Sequence, residues 1–187
     1  DLSGMIDALD TLSFGKAILD NPVARGEVTK GSYSGSNKSV RFNQISFEKN
    51  DKSLEATFDN VELDGFNFIS VKDISVSNLL WGKGNLSYTL DRNKKSQKDS
   101  VRVIPGITIN SLKGGSTLLS VQGDLVKAST RVNSISTGSI ALESGQKPKI
   151  KDLTIDGQTL NIHNDKLKNS ISGYFISEKK TSILSNI

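Results

Sequence analysis

Apolar and polar residues alternate with a period of two along most of this chain. In "SVRFNQISFEKND", Val40 and Phe42 fall on one phase and Ile45 and Phe47 on the other, with the change at Asn43-Gln44. A β-bulge produces such a slip. The same grammar runs through "LEATFDNVELDG" (Leu54, Ala56, Phe58, then Val61, Leu63), "FNFISVKDISVS" and "GNLSYTL". It resumes after residue 100 with Val101, Val103, Ile107 and Ile109, then Leu118, Leu119 and Val121, and then Val132, Ile135, Ile140 and Leu142. "IKDLTIDGQTLNI" alternates Ile150, Leu153, Ile155, Leu160 and Ile162. These patterns predict about ten to twelve short strands, each with one apolar and one polar face, joined by Asp, Asn and Gly turns.

The first 22 residues read differently. Leu2, Met5, Ile6, Leu9 and Leu12 follow helical spacing with Asp7 and Asp10 opposite, and Pro22 stops any helix by Asn21. An amphipathic helix over 1–22, covering one edge or end of a sheet, is therefore expected ahead of a single β-rich domain over 23–187. The polar loop at 91–100 is a soft boundary within that domain. No helical segments lie between strands to serve as crossovers, so the sheet is expected to be antiparallel. The expected fold is all-β: a sandwich, a barrel or an elongated curved meander. A solenoid fits less well because the strand spacing is irregular.

Two pieces, "VELDGFNF" at 61–68 and "LTIDGQTL" at 153–160, look alike. Asp-Gly is a favoured type I′ hairpin turn, so both read as hairpins, or else as traces of a degenerate repeat. "GKGNLS" at 82–87 and "KGGS" at 113–116 lack the phosphate-loop pattern and read as hairpin tips.

Composition narrows the function classes. With 27 Ser and 15 Asn against 3 Pro, the chain suits solvent-facing strands and turns better than helices. It has no cysteine, which removes disulfides and thiolate metal sites. No apolar run approaches the roughly 18 residues of a membrane-spanning helix. The opening Asp1 reads as a processed product or an excised piece. Residues 1–90 carry 9 basic and 12 acidic groups, net −3, and residues 91–187 carry 15 and 8, net +7. A basic second half raises the prospect of an acidic partner.

Candidate chemistry is thin. The one histidine, His163, has no nucleophile-elbow serine to serve and reads as a turn residue. Asp59, Glu62 and Asp64 could chelate calcium only if a turn gathered them, and alternation faces Asp59 to solvent. Glu48, Glu55 and Glu62 could supply a glycosidic acid pair but look like ordinary solvent-facing residues. No cofactor is expected.

Contact chemistry is better represented. In "SNLLWGKGN", three apolar residues end at Trp81 beside Lys83, either burying a hairpin end or presenting a knob to lipid, glycan or protein. Arg92, Lys94, Lys95, Lys98 and Arg102 crowd "DRNKKSQKDSVR", and Lys147, Lys149 and Lys151 share one side of "GQKPKIKD". If these two segments met, they would make a basic rim for acidic glycan or lipid headgroups. Without stacking aromatics, nucleic acid does not fit. The sequence thus points to a non-catalytic structural or protein-binding module of a larger exported or surface-associated bacterial protein, secreted, periplasmic or in the cell envelope. Its partner is another protein or the remainder of its parent chain. The alternatives are a lipid-binding or lipid-transfer β-groove and a glycan-directed hydrolase. A closed core with Trp81 buried favours the scaffold; an open apolar groove with Trp81 and the 92–102 loop at its mouth favours lipid.

Overall fold

A computed structural model describes residues 10–20, 22–70, 73–90, 106–124, 126–143, 149–164 and 169–173, which form twelve strands. These are β1 (Thr11–Asp20), β2 (Ala24–Ser34), β3 (Ser39–Lys49), β4 (Leu54–Asp64), β5 (Asn67–Ser70) and β6 (Asp73–Thr89), followed by β7 (Gly106–Gln122), β8 (Val126–Thr137), β9 (Ser139–Leu142), β10 (Lys149–Lys151), β11 (Thr154–Asn164) and β12 (Asn169–Gly173). All belong to one sheet, ordered β1-β2-β3-β4-β6-β7-β8-β11-β12, with β5 on β6, β9 on β7 and β10 on β9.

Every pair is antiparallel except β6 and β7. These long strands run parallel, from Asp73 beside Gly106 to Thr89 beside Gln122. The pair joins the two halves of the chain into one ladder. The short strands continue long ones: β4 and β5 both pair with β6, and β8 and β9 both pair with β7. Similarly, β10 and β11 lie along β9 and β8.

The turns follow from local chemistry. Between β3 and β4, the Asp51 carboxylate accepts hydrogen bonds from Ser53 N at 2.9 Å and Ser53 Oγ at 2.6 Å, while Lys52 takes φ +59°. Between β2 and β3, Lys38 N donates to Gly35 O and Lys38 sits at φ +47°. Gly123 N donates to Val126 O to turn β7 into β8.

The sheet is one layer. All substantial contacts between strands are those of hydrogen-bonded neighbours, so among the described residues nothing packs onto either face. This is the elongated, uncurled meander; neither sandwich nor barrel forms there. Fully buried apolar side chains are correspondingly few, namely Ala24, Val61, Val76, Leu112 and Val132. Their cover comes from neighbours in the same sheet.

Three expectations are corrected. Residues 11–20 of the expected N-terminal helix form β1, paired along its length with β2 from Thr11 beside Ser34 to Asp20 beside Arg25. A ladder partner overrides the local helical spacing there; residues 1–9 lie outside the described residues. The stretches 82–87 and 113–116, read as hairpin tips, are mid-strand in β6 and β7. Asp64-Gly65 and Asp156-Gly157 are not hairpins either. They are irregularities inside extended runs, Gly65 at φ +62° and Gly157 at a register shift against β8.

Candidate binding face

A shared eight-residue motif recurs along the strands. "LSFGKAIL" (12–19), "VRFNQISF" (40–47), "ATFDNVEL" (56–63), "LLWGKGNL" (79–86) and "TRVNSIST" (130–137) each place two face residues, then two polar or glycine residues, then two more face residues. "GEVTKGSY", "LKGGSTLL" and "LTIDGQTL" follow the same plan with glycine or threonine at some face positions. A strict period of two would turn the second pair of face residues to the other side. The central two residues absorb the change of phase. From β1 to β8 adjacent strands slip together, so pairing stays in register: Lys16 beside Thr29, Gln44 beside Asp59, and Asp59 beside Lys83, whereas β11 meets β8 with register shifts about Gly157. Lys30 at φ +48° and Asn60 at φ +54° carry the left-handed backbone this requires, a region asparagine tolerates better than most residues. The result is a crease crossing the sheet at right angles to the strands.

Register then gathers the face residues into rows. One row runs Phe14, Gly31, Phe42, Val61, then Trp81, Gly114, Ile135 and Ile155 across eight strands. On the far side of the crease, another runs Ala17, Val28, Ile45, Phe58, Gly84, Thr117 and Val132. Neither row, nor the row outside each (Leu12 to Leu153; Leu19 to Leu160), contains a charged residue. Eight strands at the usual spacing make each row roughly 34 Å long.

Two aromatic residues of this face lie over glycines. The Phe14 ring occupies the space over Gly31, and the Trp81 indole occupies the space over Gly114, where a Cβ would be 2.0 Å from the ring. Phe14 meets Phe42 across that glycine with centroids 6.2 Å apart, and Phe58 meets Trp81 edge-on at 5.2 Å. Trp81 Nε1 donates to Thr117 Oγ1 at 3.0 Å, and that hydroxyl donates to Gly115 O at 2.9 Å. One buried hydroxyl on the face, Thr137 Oγ1, has no partner among the described residues. Toward the ends of β6 and β7 the face deepens into an open apolar trough of about 390 Å³ lined by Leu86, Tyr88, Leu119, Val121, Ala128 and Thr130. Tyr88 and Val121 stand 45% and 41% exposed there.

The reverse face is polar. Arg41 grips Glu62 with Nε and Nη2 at 2.9 and 2.6 Å, which raises the guanidinium pKa above its ordinary value, chiefly through the hydrogen bond. Lys16 pairs with Glu27 at 2.7 Å, and Gln44 Nε2 donates to Asp59 at 2.9 Å.

The predicted contact residues separate on this frame. Trp81 lies half-buried at the middle of the apolar face, whereas Lys83 sits opposite Asp59 and is exposed on the polar side. Lys149 and Lys151 are exposed on β10, flanking Ile150, and Lys149 Nζ reaches Glu143 at 3.6 Å. Arg92, Lys94, Lys95, Lys98, Arg102 and Lys147 lie outside the described residues. His163 pairs in register with Lys127 and Ser170. No group of His, Asp and Glu that could hold a metal ion occurs among the described residues: Asp59 and Glu62 are engaged by Gln44 and Arg41. Glu48 and Glu55 are cross-strand neighbours, with Arg25 beside Glu48 in register and Lys52 paired to it.

What the contact list missed is the face itself, dispersed over eight strands. Its signal is the repeated phase slip. No helix of the described residues is long and apolar enough to cross a membrane. No protein-family model matches the chain, and no curated protein matches it in sequence. The β-sheet domain, free of catalytic motifs among its described residues, has the character of a structural or binding module.

Proposed function

We propose that this is a non-catalytic module that carries the acyl chains of lipids on its open apolar face, within an exported or envelope-associated protein. The observation that supports this reading most is the charge-free set of rows around the crease, left uncovered by any second layer among the described residues. A face of this extent on a soluble protein marks a site for an apolar partner. Acyl chains suit it better than a second sheet does. Layers that pack tightly interdigitate side chains from both sides. Here Phe14 and Trp81 lie over glycines, and the face opens into the apolar trough beside Leu86 and Tyr88. Rows of roughly 34 Å accommodate a chain that spans half of an about 30 Å bilayer core. The cysteine-free, Ser- and Asn-rich composition supports the assignment to an exported protein.

Trp81, the only tryptophan, reports on this directly. Phosphatidylcholine brominated along its acyl chains, presented in mixed micelles, should quench its emission. The same lipid without bromine should not. Leu86→Glu, which places a carboxylate in the trough, should abolish the quenching while circular dichroism stays unchanged. Mass spectrometry of the purified protein under native conditions should show retained lipid. Emission indifferent to bromine, together with lipid-free spectra, would refute the acyl-chain reading and leave the structural and protein-binding one.

A further inference from the structure

We propose that β1 is an assembly edge that takes β1 of a second copy, antiparallel, in the register that sets Leu12 beside Leu19 of the partner subunit. Among the described residues β1 ends the sheet and pairs only with β2. Nearly all of it is exposed, including Leu12 at 48% and Leu19 at 69%. Among the described residues, one side of its backbone therefore meets no other strand, the template by which strands add to a sheet. Of the usual protections β1 has only the charges of Lys16 and Asp20: it contains no proline, and its pairing with β2 shows no register shift.

The identity of the added strand follows from the crease. To continue the apolar rows, it must carry two face residues, two central residues and two face residues in phase with Gly15 and Lys16. "LSFGKAIL" is complementary to itself in this respect. In the proposed register Gly15 meets the partner's Lys16, much as Lys16 already meets Thr29 of β2. Phe14 then faces the partner's Ala17, a large residue against a small one, as Phe14 already lies over Gly31. A slip of one residue would throw Leu12 and Leu19 onto opposite faces. Charge agrees as well: Asp20 meets the partner's Thr11, Lys16 meets the partner's Gly15, and no like charges oppose. Among the described residues the other sheet edge is β12, five residues reading "NSISG", which lacks the motif. Pairing is thereby directed to a closed twofold dimer and away from an open chain of copies.

The absence of native cysteine makes engineered thiols unambiguous. Directly opposed residues have Cα atoms roughly 4.5–5.5 Å apart, within disulfide reach. Two copies of position 12 in this register would be about 24 Å apart. Under mild oxidation, L12C/L19C should form a covalent dimer in good yield. L12C alone and L19C alone should not, whereas an equal mixture of the two single variants should. Light scattering should give the unaltered chain twice its monomer mass at tens of micromolar, and Leu19→Lys should return it to monomer. Both positions are exposed, so circular dichroism serves as the check on folding. A monomer at every concentration would overturn the proposal. So would single-cysteine variants that cross-link as well as the double one.

Discussion

On the side that holds Trp81, the rows flanking the crease contain no charge; on the reverse, the same strands turn out Lys16, Glu27, Arg41, Glu62, Lys83 and Arg131. Backbone and hydrogen bonding are common to the two faces. The difference between them is therefore purely one of side chains. In a sandwich the apolar side would be hidden and the contrast would be a matter of core and surface. In this single layer both faces are open, and the contrast separates a surface that water solvates well from one that it does not. Burial on the apolar side comes from lateral contact: Val132 is 1% exposed and Thr117 likewise, yet nothing lies above them among the described residues.

The sharpest way to break the contrast is to move a charge across it. Val132→Asp puts a carboxylate beside Thr117, in a row that contains no cation. It should cost about 3 kcal/mol or more, enough to unfold a marginal domain. Arg131→Ala, one residue away on the other face, should change stability by no more than ~0.5 kcal/mol. Urea titration of the two variants side by side measures the difference. Equal effects would mean that the two faces are not energetically distinct.

A smaller disturbance tests whether the packing of the apolar face depends on its glycines. Gly114→Val drives two methyl groups and a Cβ into the space held by the Trp81 indole. The ring must lift, losing its hydrogen bond to Thr117 and its edge contact with Phe58. Overpacking of this kind costs about 1–3 kcal/mol. The accompanying signature is a red shift of tryptophan emission as the indole enters water. Loss of stability without that shift would place the strain in the backbone and not in the ring.

How much of this could be read from residues alone depends on the range of the interaction. Alternation in "VRFNQISF" reveals a strand and its slip because side chains two apart share a face whatever the partner is. All-β character and an open meander were legible on that basis. The meaning of the slip was not. Asn43-Gln44 looks like a single bulge until Asp59-Asn60 and Gly82-Lys83 are aligned beside it, and only pairing does that. Asp156-Gly157 carries a strong local hairpin signal, but β8 runs past it on one side and the strand stays extended. Leu12 also fits helical spacing, because Leu2, Met5, Ile6, Leu9 and Leu12 stand at i, i+3, i+4, i+7 and i+10. Trp81 and Lys83 are near neighbours in sequence and stand on opposite faces, since the central residues of the motif intervene. The parallel alignment of β6 and β7 has no local signature at all.

The reverse face should give the smallest response of all. Arg41 and Glu62 form the best ion pair there, a forked contact at 2.9 and 2.6 Å between side chains 65% and 32% exposed. Solvent screens both partners, and holding two long side chains in one geometry costs entropy that offsets much of the attraction. Glu62→Gln should therefore lower the urea midpoint only slightly in low salt, and the loss should shrink further at ~1 M salt, where the screening length falls to roughly 3 Å. Chemical denaturation in urea at the two salt concentrations measures this. A loss comparable to that of Gly114→Val, unchanged by salt, would mean that the pair is shielded from water and that the polar side is covered by something. The open-layer picture would then fail on this side first, and the apolar face could no longer be treated as the surface that most needs a partner.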